Sequence, residues 1–255
     1  MARPNPLRRE IPSAVRQTVE RARSALGDRN ATVDYDWLRT LSGASSEAIA
    51  DTLSELEEWI DVEGRIRRIQ RSSGRSYFAQ FRAPFELYAL VRLLRPDHII
   101  ETGVSSGVSS THFLLGLRKN RRGTLHSIDL PIPQRSARFS VRESPVALPP
   151  GHASGWAVPA TLRNGWDLRI GSSRSLLPGL VSELRSIGIF LHDSRHTPSH
   201  LRFELETVRP KLRSGAVVIA DNTVWTGLAF PRFARSVGAV VRRRRRSDLV
   251  ALTVP

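Results

Sequence analysis

Two kinds of apolar pattern alternate along most of this chain. Short apolar runs of strand length occur at 98–102 (HIIET), 123–129 (GTLHSID), 167–173 (DLRIGSS), 187–193 (IGIFLHD) and 215–222 (GAVVIADN). Between them, 109–117, 173–185 and 198–212 carry apolar residues at helical spacing, and Pro198 suits a first helical turn. A short helix over 230–238 leads into two last β-runs, one around Val240 and one over 249–254, with no helix between them. Strands alternating with helices predict a parallel sheet covered on both faces, and the closing pair predicts an antiparallel edge hairpin. The expected fold is therefore α/β: a doubly wound, mostly parallel seven-stranded sheet.

Upstream of the alternation, 82–95 reads as an amphipathic helix stopped by Pro96. A helix over 46–60 has Ser46 as its expected cap, and the weaker pattern at 14–26 hints at another. Glycines and serines break the pattern at 61–77, which reads as a loop or short hairpin, and 130–165 is irregular apart from a short helix near 156–162. The expected division is a mainly helical extension over 1–80 and a Rossmann-like domain over 81–255.

Composition narrows the chemistry. With no cysteine, a disulfide scaffold, a thiolate metal site and a cysteine nucleophile are all excluded. No apolar run reaches the ~20 residues of a membrane span, and the N-terminus lacks the apolar core of a signal peptide, so the expectation is a cytoplasmic chain with no membrane partner. The net charge of +15 raises the question of nucleic acid. Yet Lys119 and Lys211 are the only lysines, and so strong a preference for arginine points to genome composition, which spreads it over every surface. The run Arg242–Arg246 falls between two β-like stretches and reads as a solvated turn. Nucleic acid is accordingly the lesser of the partner readings.

The stretch ETGVSSGVSS (101–110) follows the first strand. It fits G-x-S-x-G, which would make Ser105 a nucleophile. That reading needs a histidine on a late strand end, and no histidine follows Asp221. A dinucleotide loop fits poorly as well, because Ser105 stands where its second glycine should be and Glu101 would face phosphate. A cationic ligand reverses that sign argument: a carboxylate at the loop lip attracts it, glycines let the backbone pass close, and small serines leave room. Asp129, which ends the second strand, lies near the ~20-residue offset at which an acid reaches ribose hydroxyls. The bland reading of Asp129 is a strand-end turn.

The order HIIETGVSSGVSS, LHSID, DLRIGSSRSLLPGL, IFLHDSRH, VVIADN resembles the class I S-adenosylmethionine-dependent methyltransferases over about 82–255. It is most similar to the O-methyltransferase-like branch whose fourth strand ends in D-G-D-H; here Arg195 stands in place of the second acid. The resemblance implies that Glu101, Gly103, Ser105 and Gly107 line the methionine and ribose side of S-adenosylmethionine, and that Asp129 holds the ribose. It implies adenine contacts from Ser172 and Ser173, whose other reading is helix capping. Asp193, Asp221 and Asn222 match a divalent-cation site such as one for Mg²⁺, with hard oxygen donors; Asp193 could instead touch the cofactor. His196 is the implied general base or acceptor-positioning group. Trp156 and Trp225 could wall an aromatic pocket or simply pack. The leading reading is O-methylation of a small-molecule or sugar acceptor. Its rivals are a metal-independent N- or RNA methyltransferase and the Ser105 hydrolase. Self-association is left open.

Overall fold

The computed structural model describes residues 33–56, 81, 83–130, 148 and 151–255. The patterns read at 14–26, 57–77 and 131–147 lie outside the described residues.

Seven helices and seven strands are named here in chain order: α1 Tyr35–Ser42, α2 Ser46–Ser54, α3 Pro84–Leu94, β1 His98–Thr102, α4 Val108–Asn120, β2 Thr124–Asp129, β3 Trp166–Ile170, α5 Ser173–Glu183, β4 Ile187–His192, α6 Pro198–Val208, β5 Leu212–Ala220, α7 Ala229–Ser236, β6 Arg242–Arg243 and β7 Val250–Thr253. The sheet order is β3-β2-β1-β4-β5-β7-β6. β1 to β5 pair in parallel, and β7 is antiparallel to both β5 and β6. The expected doubly wound sheet with its antiparallel edge is the observed one. Strand order reverses between β1 and β4, so a crevice for ligands opens at the carboxyl ends of these two strands.

Alternation along each strand builds two cores. Ile99, Leu125, Ile189, Val217 and Ile219 face α1 to α4, while Ile100, Ile128, Phe190 and Val218 face α5 to α7. The described part of the N-terminal extension belongs to the first core: Trp37, Leu38, Ile49 and Leu53 are buried with Leu87 and Leu90 of α3.

Local chemistry sets the element ends. Asp34 caps α1 by accepting from the Trp37 N–H at 3.1 Å. Ser45, not the expected Ser46, caps α2 through the Ala48 N–H. Pro210 cuts the predicted 198–212 helix short: α6 ends at Val208, a 3₁₀ turn covers Arg209–Lys211, and β5 begins at Leu212. The helix expected near 156–162 shrinks to a 3₁₀ turn at Ala160–Leu162.

The arginine run is also different from its reading. Val240 lies before the strand, which is only Arg242–Arg243. Arg244 is 5% exposed and pairs with buried Glu86 of α3 at 2.7 Å, so this part of the turn is not solvated. Glu86 also accepts from the Asp34 N–H, and Asp34 accepts from the Arg245 N–H at 2.8 Å. The pairing sequence could not show this, because Glu86 and Arg244 are 158 positions apart.

Candidate active site

Three strand ends surround the switch point. After β1 the chain turns through Gly103 to Gly107, both with left-handed φ of 91°. Neither glycine is kept small by empty space for a ligand. A Cβ on Gly103 would lie 2.0 Å from the Asp193 carbonyl oxygen, and one on Gly107 would lie 2.5 Å from a Val158 methyl. On the side where a Cβ would stand, the loop glycines let protein main chain and side chain approach. The Asp193 N–H donates to the Thr102 carbonyl at 2.8 Å, joining the loop to the end of β4.

Glu101 lies under the loop and not at its lip. It is fully buried, and Oε2 accepts from Ser110 at 2.6 Å and from Ser127 at 2.8 Å, while Oε1 has no partner. Burial pushes its carboxyl up to about 7, against the serine hydrogen bonds that pull it down. The charge argument for a cationic ligand thus holds above neutral pH and weakens below it.

Ser105 has φ of 49°, and its buried hydroxyl has no hydrogen-bond partner. Among the described residues no histidine meets it, so the hydrolase reading lacks its relay. Asp129 ends β2 at a buried position. Its Oδ1 accepts from the Val104 N–H at 3.0 Å and its Oδ2 accepts from the Ser154 hydroxyl. The apolar side chains of Leu130 and Ile170 are exposed, and Ile170 pairs in register with Asp129.

Ser172 and Ser173 make structural contacts. Ser172 caps α5 through the Arg174 N–H, and Ser173 Oγ sits 3.0 Å from His200 Nε2. Trp156 is in the core, whereas Trp225 is about half exposed at 48%.

The ends of β4 and β5 bring Asp193, His196, Asp221 and Asn222 together. His196 Nε2 is 3.5 Å from Asp193 Oδ1 and 3.5 Å from Asn222 Nδ2. Burial works to lower the His196 pKa, but the hydrogen bond with Asp193 and the charges of Asp193, Asp221 and Asp248 outweigh it, and the net shift is upward. Asp221 is pushed up to about 7, first by burial and then by the charge of Asp193. Two carboxyl groups close enough for the charge of Asp193 to disfavour ionisation of Asp221, beside an amide, form a donor set of the kind a hard cation fits. Among the described residues there is no cluster of three or more His, Cys, Asp or Glu with metal-site geometry, so the set depends on Asn222 as its third donor.

Beneath this cluster lies a residue that sequence reading missed. Glu204 of α6 is fully buried and accepts from His192 Nδ1 at 2.6 Å, Thr102 Oγ1 at 2.8 Å, Ser194 Oγ at 2.9 Å and His200 Nε2 at 2.9 Å. Burial raises its pKa, but the His192 charge and these donors together hold it well below the usual carboxylate range. Its spacing of four from His200 was a visible signal. Leu130 and Ser154 gave none, since each depends on how irregular chain folds back, and Ile170 gave none because it meets Asp129 only through the β2–β3 register. A separate cleft of ≈ 310 Å³ between α6 and α7, bordered by Pro198, Leu228 and Phe233, shares no residue with these strand ends.

Residues 100–223 match the model of a methyltransferase domain family. Among solved structures, the chain is similar to the O-methyltransferase from Bacillus cereus in complex with S-adenosylhomocysteine: identity is 15%, TM-score 0.52, with 76% of this chain and 90% of that one covered. It is similar to the O-methyltransferase TomG from Streptomyces achromogenes in complex with S-adenosylmethionine, at 18% identity and TM-score 0.52 over 76% of this chain and 90% of that one. It is also similar to the calicheamicin methyltransferase CalS11, at 17% identity and TM-score 0.50, over 99% and 98% of the two chains. No curated protein sequence matches it. Among the described residues no helix is long and apolar enough to cross a membrane.

Proposed function

We propose that the chain is an S-adenosylmethionine-dependent methyltransferase that transfers the methyl group to a hydroxyl of a small-molecule acceptor, a reading supported by the match of residues 100–223 to a methyltransferase domain. The observation that carries this reading is the convergence at one sheet edge of a ribose-type acid, Asp129, with a histidine and three oxygen-bearing side chains, Asp193, Asp221 and Asn222. The small-molecule acceptor is inferred from the three similar O-methyltransferase and calicheamicin-methyltransferase structures.

S-adenosylmethionine supplies, when bound, an electrophilic methyl on a sulfonium. Asp129 would accept from the ribose hydroxyls, and the exposed side chains of Leu130 and Ile170 would offer the adenine an apolar contact. Ionised Glu101 favours the positive donor from below the loop. His196 would take the acceptor's proton at Nδ1, while Asp193, which faces Nε2, orients the ring and stabilises the imidazolium. Asp193, Asp221 and Asn222 would hold a divalent cation such as Mg²⁺, which would lower the acceptor hydroxyl's pKa. Arg195 beside this set suits an anionic acceptor. Methyl donors of this kind need little activation, so positioning dominates. A cytoplasmic location belongs to the same reading.

Calorimetry with S-adenosylhomocysteine tests the cofactor. Binding at micromolar concentration is expected, and its absence from wild-type and Ser154→Ala protein alike overturns the reading. EDTA should abolish methylation, with recovery on adding Mg²⁺; full activity in EDTA would remove the cation and leave His196 as the acceptor's only activator.

A further inference from the structure

We propose that residues 154–158 form an internal strap that occupies the ribose-binding carboxylate, so that cofactor binding and strap release are one coupled event. The proposal rests on the cofactor reading above. Ser154 donates its hydroxyl to Asp129 Oδ2, and both residues are buried. A ribose hydroxyl would approach the same carboxylate as the same kind of donor. With Oδ1 accepting from the Val104 N–H and Oδ2 covered by buried Ser154, the carboxylate presents no open side to a ribose until Ser154 withdraws.

The strap is laid along the glycine loop by its main chain. The Gly155 N–H donates to the Ser105 carbonyl at 2.7 Å, and the Ala157 N–H donates to the Ser106 carbonyl at 3.1 Å. Val158 fills the space beside Gly107, and a Cβ on Gly155 would meet the Trp166 indole at 2.2 Å. Arg163 holds the outer side through the carbonyls of Gly155 and Val158, each at 3.2 Å. These contacts make a closed state that is specific.

The same closed state leaves polar groups unmet. Glu101 Oε1, Ser105 Oγ, Ser106 Oγ and Trp156 Nε1 are all buried without a partner, and all four belong to the strap, the loop or the carboxylate below it. A buried donor or acceptor left unpaired is unfavourable, so a joint that serves only as structure would not gather so many. A ligand that displaces the strap and brings hydroxyl and ammonium groups meets that demand. Gly151, with φ of 76° and open space where its Cβ would be, and Pro159 flank the segment and suit it to swing as a unit.

The balance is thus a competition for one acceptor. Only the open form binds, so the apparent affinity is the intrinsic affinity reduced by the open fraction. Removing the Ser154 hydroxyl enlarges that fraction.

The experiment compares wild type, Ser154→Ala and Ser154→Thr by calorimetry with S-adenosylhomocysteine. In parallel, hydrogen exchange is measured at the Gly155 and Ala157 amides. Ser154→Ala should bind roughly tenfold more tightly, and Ser154→Thr, which keeps the hydroxyl, should return toward wild type. The two amides should exchange faster in Ser154→Ala without ligand, and faster in wild type once it is saturated. Equal or weaker binding by Ser154→Ala overturns the strap while leaving the cofactor reading intact; weaker binding would make Ser154 a ribose ligand. Absence of binding in all three proteins overturns the cofactor reading and the strap with it.

Discussion

Glu101 carries the clearest pH signature at the scale of single residues. Its carboxyl is raised from 4.5 to about 7 by burial, so over that window the folded chain keeps a proton that the unfolded chain has released. Stability therefore falls as pH rises from about 4.5 to about 7, by on the order of 3 kcal/mol from this group. Denaturant unfolding at pH 5 and pH 8 should show this loss, and Glu101→Gln should reduce it, leaving the loss of the same sign that Asp221 contributes over the same window. For His196 the sign is opposite in effect. A base works deprotonated, so its raised pKa moves the acid limb of the rate profile above the ordinary histidine value of ~6.5. A kcat/KM profile should show that limb in wild type and lose it in His196→Ala. The strand-end acids were legible because each closes an apolar run. The partners of Glu101 were not, because Ser127 faces it only through the β1–β2 register.

At the scale of elements, the loop after β1 joins two strand ends. Gly103→Ala would drive a Cβ into the Asp193 carbonyl at a φ of 91° that alanine resists, and the main chain there cannot yield without moving the Asp193–His196 turn. Unfolding should show a loss of about 2–4 kcal/mol, with weakened catalysis in whatever fraction folds. Ser172→Ala separates cap from ligand contact. Loss of an N-cap should lower stability by about 1 kcal/mol, and affinity for S-adenosylhomocysteine should stay unchanged. Element type and order were readable throughout because the periods differ. Boundaries slipped where proline or capping decided them, as at Pro210 and Ser45.

For the whole molecule, the alternation predicted the parallel sheet and its reversed edge, since each strand's period survives without knowledge of its neighbours. The insertion of β7 between β5 and β6 was not readable, because nothing in either β-run names its partner. Nor was the Glu86–Arg244 pair, whose members carry no shared local pattern. Burial raises the Glu86 pKa although Arg244 opposes it. Glu86→Ala should therefore destabilise the chain by about 3–5 kcal/mol, since it strands a buried guanidinium.

That pairing also dates the completion of the fold during synthesis. Until Arg244 and β7 leave the ribosome, α3 holds a carboxylate with no counter-charge and β5 presents a bare edge. A nascent chain stalled before Arg244 and β7 have emerged should therefore be cut by protease across α3, and one stalled after they have emerged should be protected there.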